Sequence, residues 1–386
     1  MNQFIMNKMP TVYFGKDMLK DALTKELDHY GTNVMLAYGG GSIKRTGIYD
    51  EVMELLKSAN KNVIEFNGIM SNPTYRKVLE GTDIVIENNI DFILAVGGGS
   101  VIDCCKIISA QAKMKEDIWI NEFINKQYPT EFVPMGAVVT ASGTGSEMNN
   151  GAVITHESHM IKAGMLGALA DFVVLDPTYT LTVPMKQVIS GAFDTLSHAM
   201  ETYFGKPSEN NVSDEINEAI MRNTIRNIRK VIEDPQDIHA RSELMWDSSI
   251  AEMGLLKLGK VTDFQAHQIE HQLGAYTNCN HGQGLAVIHP VLYKHIYKEG
   301  LSKFVRYAKE VWKIDDKGLS EEEVALQGIN SLAKFILEIG LPTRLTEMGI
   351  TDKEILKRVA DSSNISAGCC KHLTHEEIYD ILMECL

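Results

Sequence analysis

The sequence predicts an α/β fold in two parts: a parallel-sheet domain over residues 1–182, then an all-helical domain over residues 183–386. Three observations carry this expectation. Short apolar runs alternate with helix-periodic stretches up to about residue 180. Glycine-rich turns follow several of those runs. After Asp176–Pro177 no strand-like run of comparable quality appears.

Taken in order, Asn33–Tyr38 (NVMLAY) reads as a strand. Gly47–Ala59 follows as a helix with apolar spacing at Ile48, Val52, Leu55 and Leu56. Asn62–Phe66 (NVIEF), a helix through Asn89, the strand Phe92–Val96 (FILAV) and a helix from Ser100 continue the pattern. Val133–Val139 and Asp171–Leu175 complete the buried strands. Such alternation implies a largely parallel, Rossmann-like sheet with helices on both faces. Beyond a boundary near 180–185, Pro184 suits a first helical turn. Ser213–Ile232, Ala240–Leu258, Glu321–Ile339 and Thr374–Leu386 are then the clearest helices.

Composition narrows the function. A formal net charge of −14 over 386 residues excludes the basic surface that nucleic acid or anionic lipid would require. The apolar runs are far short of a membrane span. The segment MNQFIMNKMP has no sustained apolar core, so a cytoplasmic protein is expected. The six cysteines include the pairs Cys104–Cys105 and Cys369–Cys370 without CxxC spacing, and reduced thiols are expected. A zinc site on Cys369, Cys370, His372 and His375 is set aside, because the spacing does not suit a tetrahedral site.

Two glycine-rich turns point to a dinucleotide. Gly97, Gly98, Gly99 and Ser100 join the FILAV strand to a helix, where backbone N–H groups and the helix N-terminus favour a pyrophosphate. A run of three glycines costs chain entropy that a plain turn does not require. Gly39–Gly40–Gly41–Ser42 follows NVMLAY, with Lys44 and Arg45 just beyond and no acid at the turn. That favours NADP(H), with NAD(H) as the alternative; a solvated pair of charges explains the bases equally well. A third stretch, Thr140–Asn150 (TASGTGSEMNN), is rich in hydroxyls and suits a polar ligand or a surface loop.

The helical part concentrates metal-ligand chemistry. Asp194 and His198 stand four apart on one helix face, His267 and His271 repeat that spacing, and His281 follows a short turn. One carboxylate and several imidazoles suit Fe²⁺ or Zn²⁺. Spacing alone leaves His271 among the ligands. A Lewis-acidic ion beside a nicotinamide points to exchange between an alcohol and a carbonyl.

The runs Asp176–Glu201 and His267–Gly284, with GGGSVID and TGSE, resemble the ordered signatures of the iron-containing (group III) alcohol dehydrogenases. YGGGSIKRTG and TGSEMNNGAVIT are similar to the NADPH-dependent butanol dehydrogenase and aldehyde reductase branch. The resemblance implies Asp194, His198, His267 and His281 as metal ligands, with His271 a neighbour on the substrate side. It places Gly98, Gly99, Ser100 and Asp103 at the pyrophosphate and nicotinamide, and Gly40, Gly41, Ser42 and Lys44 at the adenosine 2′-phosphate. Asn72 falls near the adenine ribose, and Thr140, Thr144, Asn149, Lys162 and Tyr179 in the cofactor cleft. It further implies an active-site cleft between the domains and a homodimer, acting on a small aliphatic alcohol or aldehyde. The alcohol proton is expected to leave through His271, the ribose hydroxyl or water. Phe264 and Cys279 depart from the family pattern beside the ligands, and GCCKHLT stands where an Asn-Pro-Arg-like segment is usual. Rival readings are a dehydroquinate-synthase-like lyase, a glycerol-dehydrogenase-like enzyme and a non-catalytic nucleotide-binding scaffold. The lyase would need basic residues near the ion, and Asp194–Glu201 and Asp263–His281 contain none.

Overall fold

The computed structural model describes every residue except Met1, Asn2, Ile5, Asn7, Ser366 and Ala367. The chain divides into two compact units, Asn7–Pro184 and Met185–Leu386, with Met1–Met6 grouped with the second.

The first unit is built on eight strands: β1 (Thr11–Phe14), β2 (Asn33–Tyr38), β3 (Asn62–Phe66), β4 (Phe92–Gly97), β5 (Met135–Val139), β6 (Gly151–His156), β7 (Ile161–Leu166) and β8 (Phe172–Leu175). Six form one sheet in the order β1-β8-β5-β4-β2-β3, and every pairing in it is parallel. A parallel sheet covered on both faces needs strands that are apolar throughout. Accordingly β4, β5 and β8 are buried at every residue. From β2 the chain moves to the β3 edge, and from β4 it moves the other way to β5. The order therefore reverses at the adjacent pair β2 and β4, and ligands of such sheets bind outside the carboxyl ends at that switch point.

The four central strands and β3 lie where periodicity places them. Two features were not visible in the sequence: edge strand β1, and the antiparallel hairpin of β6 and β7. Only Tyr13 of the four residues of β1 is buried, so it lacks the continuous apolar burial of the equally short β8. Along β6 and β7 the alternation of exposed and buried residues is interrupted at His156 and at Gly164, and the buried Lys162 removes the apolar signal as well.

The second unit is helical, with one buried core running from Ala192 to Cys385. Glu321–Glu338 and His375–Glu384 each begin with a capping box, on Ser320 and Thr374. The expected helix over 240–258 is two elements. An α-helix spans Ile238–Glu252, and a single 3₁₀ turn spans Leu255–Lys257. Gly254 between them takes φ +80, a conformation that ends a helix. Among the described residues, no helix is long and apolar enough to cross a membrane.

Candidate metal centre and glycine-rich turns

Helix Met185–Tyr203 presents Asp194 and His198 on one face, one turn apart. Helix Gln265–Thr277 supplies His267 from its first turn, and His281 opens helix His281–Ile296. Asn280 caps that helix by accepting the Gln283 N–H. Gly282 lets the two helices meet, because a Cβ there would stand 2.2 Å from the Ser190 carbonyl oxygen.

The Nε2 atoms of His198, His267 and His281 each lie 3.4 Å from the same oxygen, Oδ1 of Asp194. Asp194, His267 and His281 offer ligand atoms within 4.8 Å of one another. The His198 ring is 4.3 Å from that of His267, centroid to centroid. Asp194 Oδ1 and His267 Nε2 are buried with no hydrogen-bond partner. Buried polar atoms left unpaired in this way are costly, and a shared cation would satisfy them.

Each imidazole is braced from behind by a buried carboxylate that sequence reasoning missed. His198 Nδ1 lies 2.9 Å from Glu252 Oε1. His267 Nδ1 meets Glu201, and His281 Nδ1 meets Glu270. Such a carboxylate holds the proton on Nδ1 and leaves the Nε2 lone pair for a cation. Burial works against ionisation of these acids, and the neighbouring cations outweigh it. The His281 and His198 rings hold Asp194 well below the usual carboxylate range, and His267 depresses Glu201. His198 and Lys257 bring Glu252 down to about 2. Burial likewise disfavours charge on His267, but Glu201 and Asp194 prevail and raise it to about 10. In the metal-free chain these two carboxylates therefore favour a proton on His267. Four convergent donors, two of them orphaned and three of them braced, fit a borderline divalent cation.

His271 stacks on the His281 ring at 5.5 Å and meets the His267 ring edge-on at 6.1 Å. It also falls within 4.8 Å of Glu270 and His281 as a second possible ligand set, so geometry keeps it beside the centre. The His281 side chain is 24% exposed, against 5% for Asp194, and the centre is most open on that side. Phe264 covers the other side. Its ring lies 5.6 Å from that of His198 and 5.0 Å from that of His267. Its φ of +50 is a strained backbone for a bulky residue. Lys257 lies 4.6 Å from the Phe264 ring centre and pairs with Glu252 at 2.8 Å. The Cys369 thiol donates to the Val261 carbonyl.

In the first unit the three glycine-rich stretches leave the carboxyl ends of the adjacent strands β2, β4 and β5. Gly98 is the N-cap of helix Gly99–Gln111, which carries Ser100 and Asp103. The glycines have different causes. A Cβ on Gly99 would stand 2.2 Å from Thr144 Oγ1 and one on Gly97 2.5 Å from Val101, whereas one on Gly98 would meet Ala141 at an ordinary 3.4 Å. Packing alone therefore requires two of the three, which corrects the argument from entropy.

Asp103 is buried, accepting from the Ser146 hydroxyl and from the Val153 N–H at 2.9 Å. Lys106, fully buried, ties the 146–151 loop to the helix through Ser146 (2.8 Å), Asn149 (3.2 Å) and the Gly151 carbonyl (2.6 Å). The Thr140 N–H bonds the Gly97 carbonyl, and Lys162 lies buried on β7. Asn72 takes φ +54 before Pro73, and the Tyr179 hydroxyl donates to Glu51 at 3.1 Å.

Around the first turn, Gly40 and Gly41 have open space where a Cβ would be, and Ser42 and Lys44 lie on the short helix Ser42–Arg45. The expectation that no acid stands at this turn needs correction. Glu65, from the neighbouring strand β3, reaches Lys44 at 3.2 Å.

Comparison with known proteins agrees with this architecture. Residues 10–177 match the family model "Iron-containing alcohol dehydrogenase". Residues 188–386 match "Fe-containing alcohol dehydrogenase family, C-terminal". The chain is 38% identical to NADH-dependent butanol dehydrogenase A of Clostridium acetobutylicum, covering 97% of each chain. It is 34% identical to the NADPH-dependent aldehyde reductase YqhD of Escherichia coli, over 95% of each. The crystal structure of NADH-dependent butanol dehydrogenase A from Thermotoga maritima superposes with a TM-score of 0.94 at 32% identity, covering 100% of this chain and 99% of that one. With both halves matched in order, the chain belongs to the iron-containing alcohol dehydrogenase family.

Proposed function

We propose that this chain interconverts small aliphatic alcohols and aldehydes, butanol-like in size, by hydride exchange with a nicotinamide dinucleotide. The observation that carries the reading is the convergence of three braced imidazoles on one orphaned carboxylate oxygen. Fe²⁺ or Zn²⁺ held by Asp194, His198, His267 and His281 would supply Lewis acidity toward the substrate oxygen, and the nicotinamide would supply or accept the hydride. The chain's own residues do the rest. Glu201 and Glu270 keep the Nδ1 protons of His267 and His281 in place, and Glu252 stands 2.9 Å from His198 Nδ1 as its counter-charge. Phe264 shields the His198 and His267 side from water. His271, stacked beside His281, is our candidate to carry the alcohol proton, with the ribose hydroxyl or water as the alternatives.

Gly98, Gly99 and Ser100 at the helix N-terminus receive the pyrophosphate. Gly40, Gly41, Ser42 and Lys44 frame the adenosine ribose, and the basic residues there draw the 2′-phosphate of NADP(H). NAD(H) is the alternative. A homodimer is the expected assembly.

The test is direct. The purified protein is analysed for bound metal, and NADPH and NADH oxidation is followed with butyraldehyde. About one divalent ion per chain and coenzyme oxidation that stops on chelation are expected. A metal-replete protein that oxidises neither coenzyme with any short aldehyde would overturn the reading.

A further inference from the structure

Glu65 has no role in the chemistry above, yet three side chains converge on it. On β3 it pairs in register with Leu36 of β2, so Tyr38, two residues on, rises from the same face. The Tyr38 hydroxyl donates to Glu65 Oε2 at 2.5 Å, and the Tyr49 hydroxyl donates to Oε1 at 2.7 Å. Lys44 Nζ stands 3.2 Å from Oε2. The ammonium also lies 4.3 Å from the Tyr49 ring centre and 5.2 Å from that of Tyr38. The two phenols depress the Glu65 pKa and keep it charged.

A ribose 2′-phosphate carries a charge of roughly −1.5 to −2. At this turn it would compete with Glu65 for Lys44 and then sit beside an anion that the phenols hold in place. A free ribose hydroxyl meets neither obstacle. Lys44 and Glu65 are both well exposed, so their pairing is weak enough to be exchanged rather than locked.

We propose that Glu65 sets the coenzyme choice: by holding Lys44 and keeping a negative charge beside the Gly39–Ser42 turn, it weakens the preference for NADP(H) and leaves NAD(H) accepted. This rests on the reading of that turn as the adenosine-ribose site. Glu65 is a positioning and selectivity residue, and it takes no part in hydride transfer.

Two readouts test it. Glu65→Gln should raise the ratio of kcat/KM for NADPH over NADH by about three- to fivefold, through KM rather than kcat, the effect of removing one exposed charge near a phosphate. Glu65→Asp, which keeps the charge, should stay close to the parent ratio. Calorimetric titration with 2′,5′-ADP and 5′-AMP, which needs neither metal nor hydride transfer, should show the same shift toward the 2′-phosphate in Glu65→Gln. Lys44→Met should weaken 2′,5′-ADP and leave 5′-AMP unchanged. An unchanged ratio in folded Glu65→Gln, or a shift toward NADH, overturns the proposal while the alcohol dehydrogenase reading stands. A parent protein that binds neither nucleotide overturns the coenzyme site itself, and this inference with it.

Discussion

Glu201 and Glu270 each stand three residues after a histidine proposed as a ligand, His198 and His267, yet neither braces its own neighbour. Glu201 reaches across to His267, and Glu270 reaches across to His281. The braces therefore stitch one helix to the next, and each couples a ligand's orientation to helix packing. Replacing either by glutamine removes the charge that stabilises the Nδ1 proton. Metal affinity in Glu201→Gln and Glu270→Gln should fall roughly 10- to 100-fold, measured by competition with a chelator. Affinities equal to the parent would show that the carboxylates only fill space.

Among the elements, the turn from β4 into helix Gly99–Gln111 separates packing from ligand binding. Gly99→Ala forces a Cβ against Thr144 and should destabilise the fold by about 1–3 kcal/mol, visible in thermal denaturation. Gly98→Ala meets only an ordinary contact with Ala141 and should leave stability nearly unchanged. If Gly98 approaches the pyrophosphate, that second variant should nonetheless bind coenzyme more weakly. Coenzyme affinity unaltered in Gly98→Ala would show that the triplet serves packing alone.

At the scale of the whole molecule, the proposed metal site ties stability to pH, because protons and an ion would compete for the same buried donors. The His267 pKa in the folded chain, about 10, is raised above the ordinary imidazole value of 6.5. Its contribution to the metal-free protein is therefore fully present below about 6.5 and is lost as pH rises through about 10. Glu252 has the opposite sign: lowered from 4.5 to about 2, it stabilises above about 4.5 and fails as pH falls through about 2. A bound ion replaces the His267 proton, so metal affinity should increase with pH. The gap in Tm between metal-loaded and metal-free protein should widen from pH 6 to pH 9. A gap that narrows over that range would contradict proton–metal exchange at His267.

The local patterns suffice for much of this. Near-continuous apolar runs dictate a parallel sheet, because only doubly covered strands can be apolar throughout. Pairs four residues apart put Asp194 with His198 and His267 with His271 on shared helix faces, since the α-helix repeats every 3.6 residues. What required the folded chain is contact between distant segments. Glu252 stands beside His198 only because helix Ile238–Glu252 packs against helix Met185–Tyr203, and Lys257 then pairs with it from the following turn. Glu65 stands beside Lys44 only because β3 pairs with β2. A sequence fixes which residues share a face over a few turns; which faces meet is decided by burying apolar surface throughout the molecule, and the braces and counter-charges of this protein arise at those meetings.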